Sequence, residues 1–185
     1  DKRTEDLLTR MSPQEKFAQM QCHWLTKKNS LLNDEGNFDE TKAKKWFAEG
    51  IGLGQVGRPS DAGKGKNAKE MALLTNRIQK FFMENSRLGI PVFFHEECLH
   101  GHAAAGGTSF PQPIALACSF NPKLIEKVYS ITAEEARVRG AHQALTPVLD
   151  VAREPRWGRV EETFGEDPFL VSRMGLAAVR GFQGK

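Results

Sequence analysis

Little in this sequence of 185 residues favours a covalent staple, a membrane or a polyanion. It holds three cysteines, Cys22, Cys98 and Cys118, an odd number, widely spaced and without a Cys-x-x-Cys pair. That argues against a disulfide framework or a structural zinc knot and leaves three partly buried thiols. No run approaches 18 apolar residues, the least that a spanning helix needs. No basic run exceeds two residues, and 26 Lys and Arg against 23 Asp and Glu give a net charge of only +3. DNA, RNA and anionic membranes therefore gain no support as partners. The first six residues, Asp1 to Asp6, lack the apolar stretch of a signal peptide. There is no low-complexity segment and no short repeat.

What is present is a globular composition, 39% hydrophobic and 26% charged, with apolar side chains for one sizeable core and a single domain. Residues 4–20 have helical spacing broken at Ser12-Pro13-Gln14-Glu15. There Ser12 is an N-cap, Pro13 takes the first helical position and Glu15 closes a capping box. Residues 21–25 read as a short strand and 27–38, centred on Asn33-Asp34-Glu35-Gly36, as a loop. An amphipathic helix is expected over 39–49, with Ala43, Trp46 and Phe47 on one face and Gly50 as its stop. Residues 51–56 read as a strand and 57–66 as a loop. Asn67 and Glu70 open a long helix with the stripe Met71, Leu74, Ile78, Phe81 and Phe82. Residues 90–94 resemble a buried strand. Asn121-Pro122 starts a helix ending near Gly140, with Leu124, Val128 and Ile131 inward. Residues 143–151 read as a strand, and Asp167-Pro168 starts a last helix carrying Leu170, Met174 and Ala177.

Strand-like runs alternating with capped helices are the pattern of parallel β/α units. Ligands bind such sheets beyond the carboxyl ends of the strands. The two long connections that follow strands, 95–113 and 150–167, are thus where function is expected. Two glycine patterns elsewhere carry less. Gly52-Leu53-Gly54-Gln55-Val56-Gly57 fits Gly-x-Gly-x-x-Gly, but no helix opens from it, so close backbone packing or a ligand-facing strand end accounts for it better than a dinucleotide. Gly63-Lys64-Gly65-Lys66 lacks the spacing and the Ser or Thr of a phosphate loop.

The first long connection opens with His95-Glu96-Glu97-Cys98-Leu99-His100-Gly101-His102. Position 99 is leucine, so the paired histidines of a helical zinc site are missing. Three readings stay open: a metal-dependent hydrolase using His95, His100 and His102; a carboxylate of Glu96 or Glu97 hydrogen-bonding a polar substrate while the histidines orient it; or a structural role. The second connection interleaves Asp150, Arg153, Glu154, Arg156, Arg159, Glu161 and Glu162 with Trp157. Carboxylates and guanidinium groups hydrogen-bond vicinal hydroxyls, and an indole offers an apolar face to C–H groups, which suits a sugar. A surface ion-pair network is the alternative.

With both clusters in view, Gly89-Ile90-Pro91-Val92-Phe93-Phe94-His95-Glu96-Glu97-Cys98-Leu99-His100-Gly101 closely resembles the third-strand region of glycoside hydrolase family 3, the β-glucosidase/β-xylosidase family. Residues 107–117, 145–159 and 160–168 continue the likeness, and 7–16 are similar to that family's start. It runs from about Arg3 to Gly184 and is weakest between Leu25 and Asn67. The resemblance implies an α/β fold, the N-terminal portion (about four β/α units) of a (β/α)8 TIM-type barrel, with residues 1–185 forming a partial barrel domain. A full barrel needs about 250 residues.

The function implied is part of a retaining exo-β-glycosidase that hydrolyses terminal β-glucosyl or β-xylosyl residues of oligosaccharides. The family's Lys-His pair, its aspartate nucleophile and its acid/base all fall beyond Lys185. No catalytic residue is therefore expected in this chain, and no activity from it in isolation. Glu97 matches a family carboxylate, often Asp, that holds the sugar in subsite −1. Arg159 matches an arginine on the same sugar, and Glu162 a carboxylate that orients that arginine. His100 and Arg156 are looser candidates at the rim. No metal or cofactor is implied. The partners would be a β-linked gluco- or xylo-oligosaccharide and the rest of the barrel and later domains of the same polypeptide, in a periplasmic or secreted setting. A non-catalytic sugar-binding module is a further alternative.

Overall fold

Helix starts are where the sequence is most explicit, and the computed structural model, which describes residues 1–184, carries those at Ser12, Asn67, Asn121 and Asp167 as read, while the first helix begins at Lys2 and not at residue 4. The chain divides into two compact units, residues 1–95 with 139–143, and residues 96–138 with 144 onward.

In the first unit, α1 (Lys2–Arg10) starts from Asp1, whose carboxylate accepts from Arg3 N at 3.0 Å. α2 (Pro13–Gln19) starts from the expected box: Ser12 Oγ accepts from Glu15 N at 3.2 Å and Glu15 Oε2 accepts from Ser12 N at 2.8 Å. β1 is short (Cys22–His23). The stretch expected as loop holds one helical turn, α3 (Lys27–Ser30), and an antiparallel bridge from Leu32 to Phe38. Its polar composition hides that turn, because what fixes it is remote: buried Lys27 sets its Nζ 2.7 Å from Asp61 Oδ1 and donates to Trp24 O at 3.0 Å. α4 (Glu40–Trp46) starts from Asp39. Ala43 is buried and Phe47 packs on the core, but Trp46 is 53% exposed, against expectation, with its ring edge-on to His23.

β2 (Gln55–Gly57) is shorter than the strand expected because Gly54 is committed to a different contact. Its N–H donates to Ala18 O at 2.9 Å, and a Cβ there would fall on the backbone carbonyl of Gln19. This close approach of two backbones, not a nucleotide, explains the glycine pattern. α5 (Ala68–Asn85) has the Asn67–Glu70 box and buries the expected stripe. β3 (Phe93–Glu96) pairs in parallel with β2, Val56 opposite Phe94, and β2 with β1, His23 opposite Val56. The unit's core gathers Leu31, Leu53, Val56, Ile78, Phe82 and Phe94.

At the edge of this unit Arg87 grips the α2 capping carboxylate, Nε to Glu15 Oε1 at 2.8 Å and Nη2 to Oε2 at 2.6 Å. The Arg87 hydrogen bonds, with that from Ser12 N, hold the Glu15 carboxyl down at about 2 from a usual 4.5. A depressed carboxyl stabilises the fold fully above its unfolded value, and that stabilisation is lost as pH falls through the folded one. Arg87→Met is therefore expected to lower the melting midpoint at pH 7, and the gap from wild type to close between about pH 4.5 and about pH 2. Thermal melts followed by circular dichroism across that range would show it; a gap constant with pH would refute it.

In the second unit, α6 (Pro113–Ala117) is a helical turn too short to leave a periodic signal. α7 (Pro122–Val138) buries Ile125, Val128, Tyr129, Thr132 and Ala136, whereas Leu124, expected inward, is 41% exposed. The Tyr129 hydroxyl, donating to Leu99 O at 2.8 Å, fixes which face turns in. β4 spans only Gln143–Ala144, although Leu145 N still donates to Glu96 O at 3.0 Å. Beyond it Leu145 and Leu149 are exposed, so the apolar run read as a strand is not all core. α8 (Pro168–Gln183) starts from Asp167, whose Oδ1 accepts from Phe169 N at 2.7 Å. It packs Val171, Met174, Ala177 and Ala178 with Ile125, Tyr129 and Phe164. Of the cysteines, Cys98 is buried, while Cys22 and Cys118 are exposed, contrary to expectation.

The four strands form one sheet in the order β1-β2-β3-β4. Sequential order with no switch point is the topology of a β/α barrel and differs from that of a doubly wound sheet. Among the described residues no helix is long and apolar enough to cross a membrane.

Candidate functional site

The connection after β3 is held by its backbone. Ala103 N donates to Glu97 O at 3.0 Å and Phe110 N to His100 O at 2.7 Å, while Tyr129 holds Leu99. Glu135 on α7 clamps the loop from outside, accepting from Thr108 N at 2.9 Å and from Thr108 Oγ1 at 2.6 Å. Adjacent side chains leaving a strand point to opposite sides, and this separates the two carboxylates that the sequence left equivalent. Glu96 is fully buried, its Oε2 3.4 Å from Nε2 of the equally buried His102. Glu97 is half-buried. Glu96 and His102 brace the loop from beneath, and Glu97 is presented.

The three histidines have separate surroundings. His95 sets Nδ1 3.1 Å from Gln55 Oε1 and lies edge-on to Trp24; His102 faces Glu96; His100 is half-buried. Among the described residues no three His, Cys, Asp or Glu side chains are gathered as a metal would require.

The connection after β4 closes at its base, where Ala152 N donates to Gly165 O at 3.0 Å and Gly165 N to Thr163 Oγ1 at 3.1 Å. A 3-10 turn, Val160–Glu162, sets Glu162 beside Arg159. Arg159 donates from Nε at 3.0 Å and from Nη2 at 2.5 Å, both to Glu162 Oε2. The Glu162 hydrogen bonds and charge push the Arg159 guanidinium above its ordinary pKa, and the charges of Glu97 and Asp150 add to this. Three carboxylates from two connections thus act on one guanidinium. The sequence placed Asp150 among the interleaved charges of this connection without giving it a role of its own; its place at the end of a strand-like run was the available signal. With two of its five N–H groups on Glu162, Arg159 keeps donors for a ligand, while Glu97 and Asp150 offer acceptors. That combination matches the vicinal hydroxyls of a neutral polyol.

Arg156 lies apart from this group. It forms a two-pronged pair with Glu154, 2.8 Å from Nε to Oε1 and 2.8 Å from Nη2 to Oε2, with its side chain 88% exposed. The Arg156 hydrogen bonds hold the Glu154 carboxyl down at about 2. Here the surface ion-pair account describes what is seen.

A sheet wound in sequential order, with an arginine held by a glutamate on a connection that follows a strand, fits a barrel-type glycoside hydrolase. Residues 13–185 match the glycosyl hydrolase family 3 N terminal domain, and the chain belongs to that family. It is 48% identical over 106 residues to a β-xylosidase from Formosa agariphila, covering 54% of this chain and 15% of that protein. Among solved structures it is similar to a β-glucosidase from Erythrobacter marinus, with a TM-score of 0.84 and 35% identity over 98% of this chain and 23% of that one. It is also similar to a Listeria innocua β-glucosidase in complex with glucose, with a TM-score of 0.76 and 31% identity over 100% of this chain and 24% of that one. The chain spans about a quarter of the length of relatives that match it throughout.

Proposed function

We propose that this chain forms the glycone-binding wall, subsite −1, of a retaining exo-β-glycosidase that removes terminal β-glucosyl or β-xylosyl residues from oligosaccharides. The observation that carries the reading is the Arg159 guanidinium, held by Glu162 and acted on by Glu97 and Asp150. In this reading Glu97 accepts from ring hydroxyls, Arg159 donates to them, and Glu162 orients Arg159. His100 stands at the rim, as does Arg156 where a longer substrate reaches it. Bonds to the hydroxyls that strengthen as charge develops at the anomeric carbon lower the barrier more than they tighten substrate binding. The nucleophile and the acid/base of the double displacement come from the remainder of a longer polypeptide, as do further walls of the site.

The test is hydrolysis of 4-nitrophenyl β-glucoside and β-xyloside, with the product anomer followed by proton NMR. The complete polypeptide is expected to cleave at least one of them and release the β-anomer first; residues 1–185 alone are expected to show no turnover. Turnover by the 185 residues, or release of the α-anomer first, would overturn the assignment. Saturable sugar binding by the complete polypeptide without cleavage would point instead to a binding module.

A further inference from the structure

Glu97 sits at the base of a loop, residues 97–110, that folds back on itself. Ala103 N donates to Glu97 O at 3.0 Å and Phe110 N to His100 O at 2.7 Å, so the outgoing and returning arms lie side by side. Gly101 lets them touch. Its φ of 111° is one that residues with a side chain rarely adopt, and a Cβ there would overlap the Thr108 carbonyl oxygen. Whatever holds the returning arm at Thr108 therefore holds the outgoing arm that carries Glu97.

α7 holds both arms. Tyr129 donates to Leu99 O at 2.8 Å on the outgoing one. On the returning one, Glu135 accepts from Thr108 N at 2.9 Å with Oε2 and from Thr108 Oγ1 at 2.6 Å with Oε1, one oxygen for each donor. The two attachments differ in kind. Tyr129 is fully buried among Ile125, Phe164 and Met174, so it counts toward folding. The Glu135–Thr108 contact faces solvent, where hydrogen bonds exchange with those to water at little net gain. Its larger consequence is geometric: it fixes where the loop lies.

We propose that Glu135 is a positioning residue for the sugar site. Through Thr108 it latches residues 97–110 to α7 and thereby sets the place of the Glu97 carboxylate, without touching the sugar itself. Bonds from Glu97 that strengthen in the transition state are the ones a displaced loop loses, so the effect falls on kcat more than on KM. The link to a sugar rests on the glycosidase reading; the latch does not.

The test uses the complete polypeptide. Glu135→Ala and Thr108→Val weaken the latch from either side, and Thr108→Ser keeps both donors. Glu135→Ala is expected to lower kcat/KM for an aryl β-glycoside by about tenfold to a hundredfold, chiefly through kcat. Thr108→Val loses less, because its N–H remains, and Thr108→Ser stays near wild type. The deciding measurement repeats Glu135→Ala in a Glu97→Ala background, where it is expected to add about twofold or less, since the carboxylate it positions is gone. An equal fall with and without Glu97, or no fall in either background, overturns the proposal. Hydrogen exchange read by mass spectrometry is independent of activity: in Glu135→Ala, peptides covering 97–110 are expected to exchange about tenfold faster, and those of α8 at the wild-type rate. Should the wild type cleave no glycoside, or Glu97→Ala cleave as well as wild type, the glycosidase reading fails by itself. Exchange then decides the latch: faster exchange confined to 97–110 sustains it, and unaltered or uniformly faster exchange rejects it.

Discussion

Arg159→Ala is expected to lower kcat/KM for aryl β-glycosides about a hundredfold to ten-thousandfold in the complete enzyme, at nearly unaltered stability. The loss follows from two charge-assisted hydrogen bonds to sugar hydroxyls, about 1.5–3 kcal/mol each, at about 1.4 kcal/mol per tenfold in rate. Stability is largely spared because the arginine side chain is 57% exposed, although its partner Glu162 is 18% exposed, and pairs with a solvent-exposed member contribute little to folding. Arg159→Lys is expected to recover only a small part, since an ammonium cannot span Glu162 and a sugar with a planar fork. Steady-state kinetics beside a thermal melt separate these outcomes. A variant with near-normal kcat/KM would remove Arg159 from the site, whereas one that loses activity only because it unfolds would make its role structural.

Glu97→Ala carries the other large effect, a fall of about a thousandfold, because the site then keeps a guanidinium facing hydroxyls that have lost their acceptor. The informative companion is Glu97→Asp. It keeps the charge and shortens the reach by one methylene at a position where the family often has aspartate. The expected result is retained hydrolysis with an altered ratio of kcat/KM for glucoside and xyloside. Glu96→Gln, by contrast, changes a carboxylate that is fully buried against His102, and its cost is expected first in the melting temperature. Equal kinetic consequences at positions 96 and 97 would contradict the inward and outward assignment of these neighbours.

That pair shows where sequence reading stops. The cluster from His95 to His102 was legible as unusual chemistry, but two adjacent glutamates are indistinguishable until the direction of β3 and the packing of α7 turn one inward. The helix starts were legible because their signals are local: Ser12 with Glu15 and Asn67 with Glu70 fall within one turn of each other. α3 was missed because Lys27 finds its partner Asp61 on a different connection. The inner face of α7 was misjudged because Tyr129 reaches the backbone of the β3 loop. β4 was read too long because its apolar run suggested burial, whereas Leu145 and Leu149 stay exposed.

By itself the sequence determined the alternation of strand and helix, the helix caps, the family and the residue types of a sugar site. Those rest on short-range periodicity, on hydrogen bonds within a single turn and on motif order. Only the tertiary structure decided that Glu96 turns inward to His102 while Glu97 stays half-buried, that the charges of Glu97 and Asp150 reach Arg159, and that Lys27 pairs with Asp61. The last two are pairings between segments remote in the chain. Such pairings are fixed by sheet register and core packing, which no local run of residues encodes.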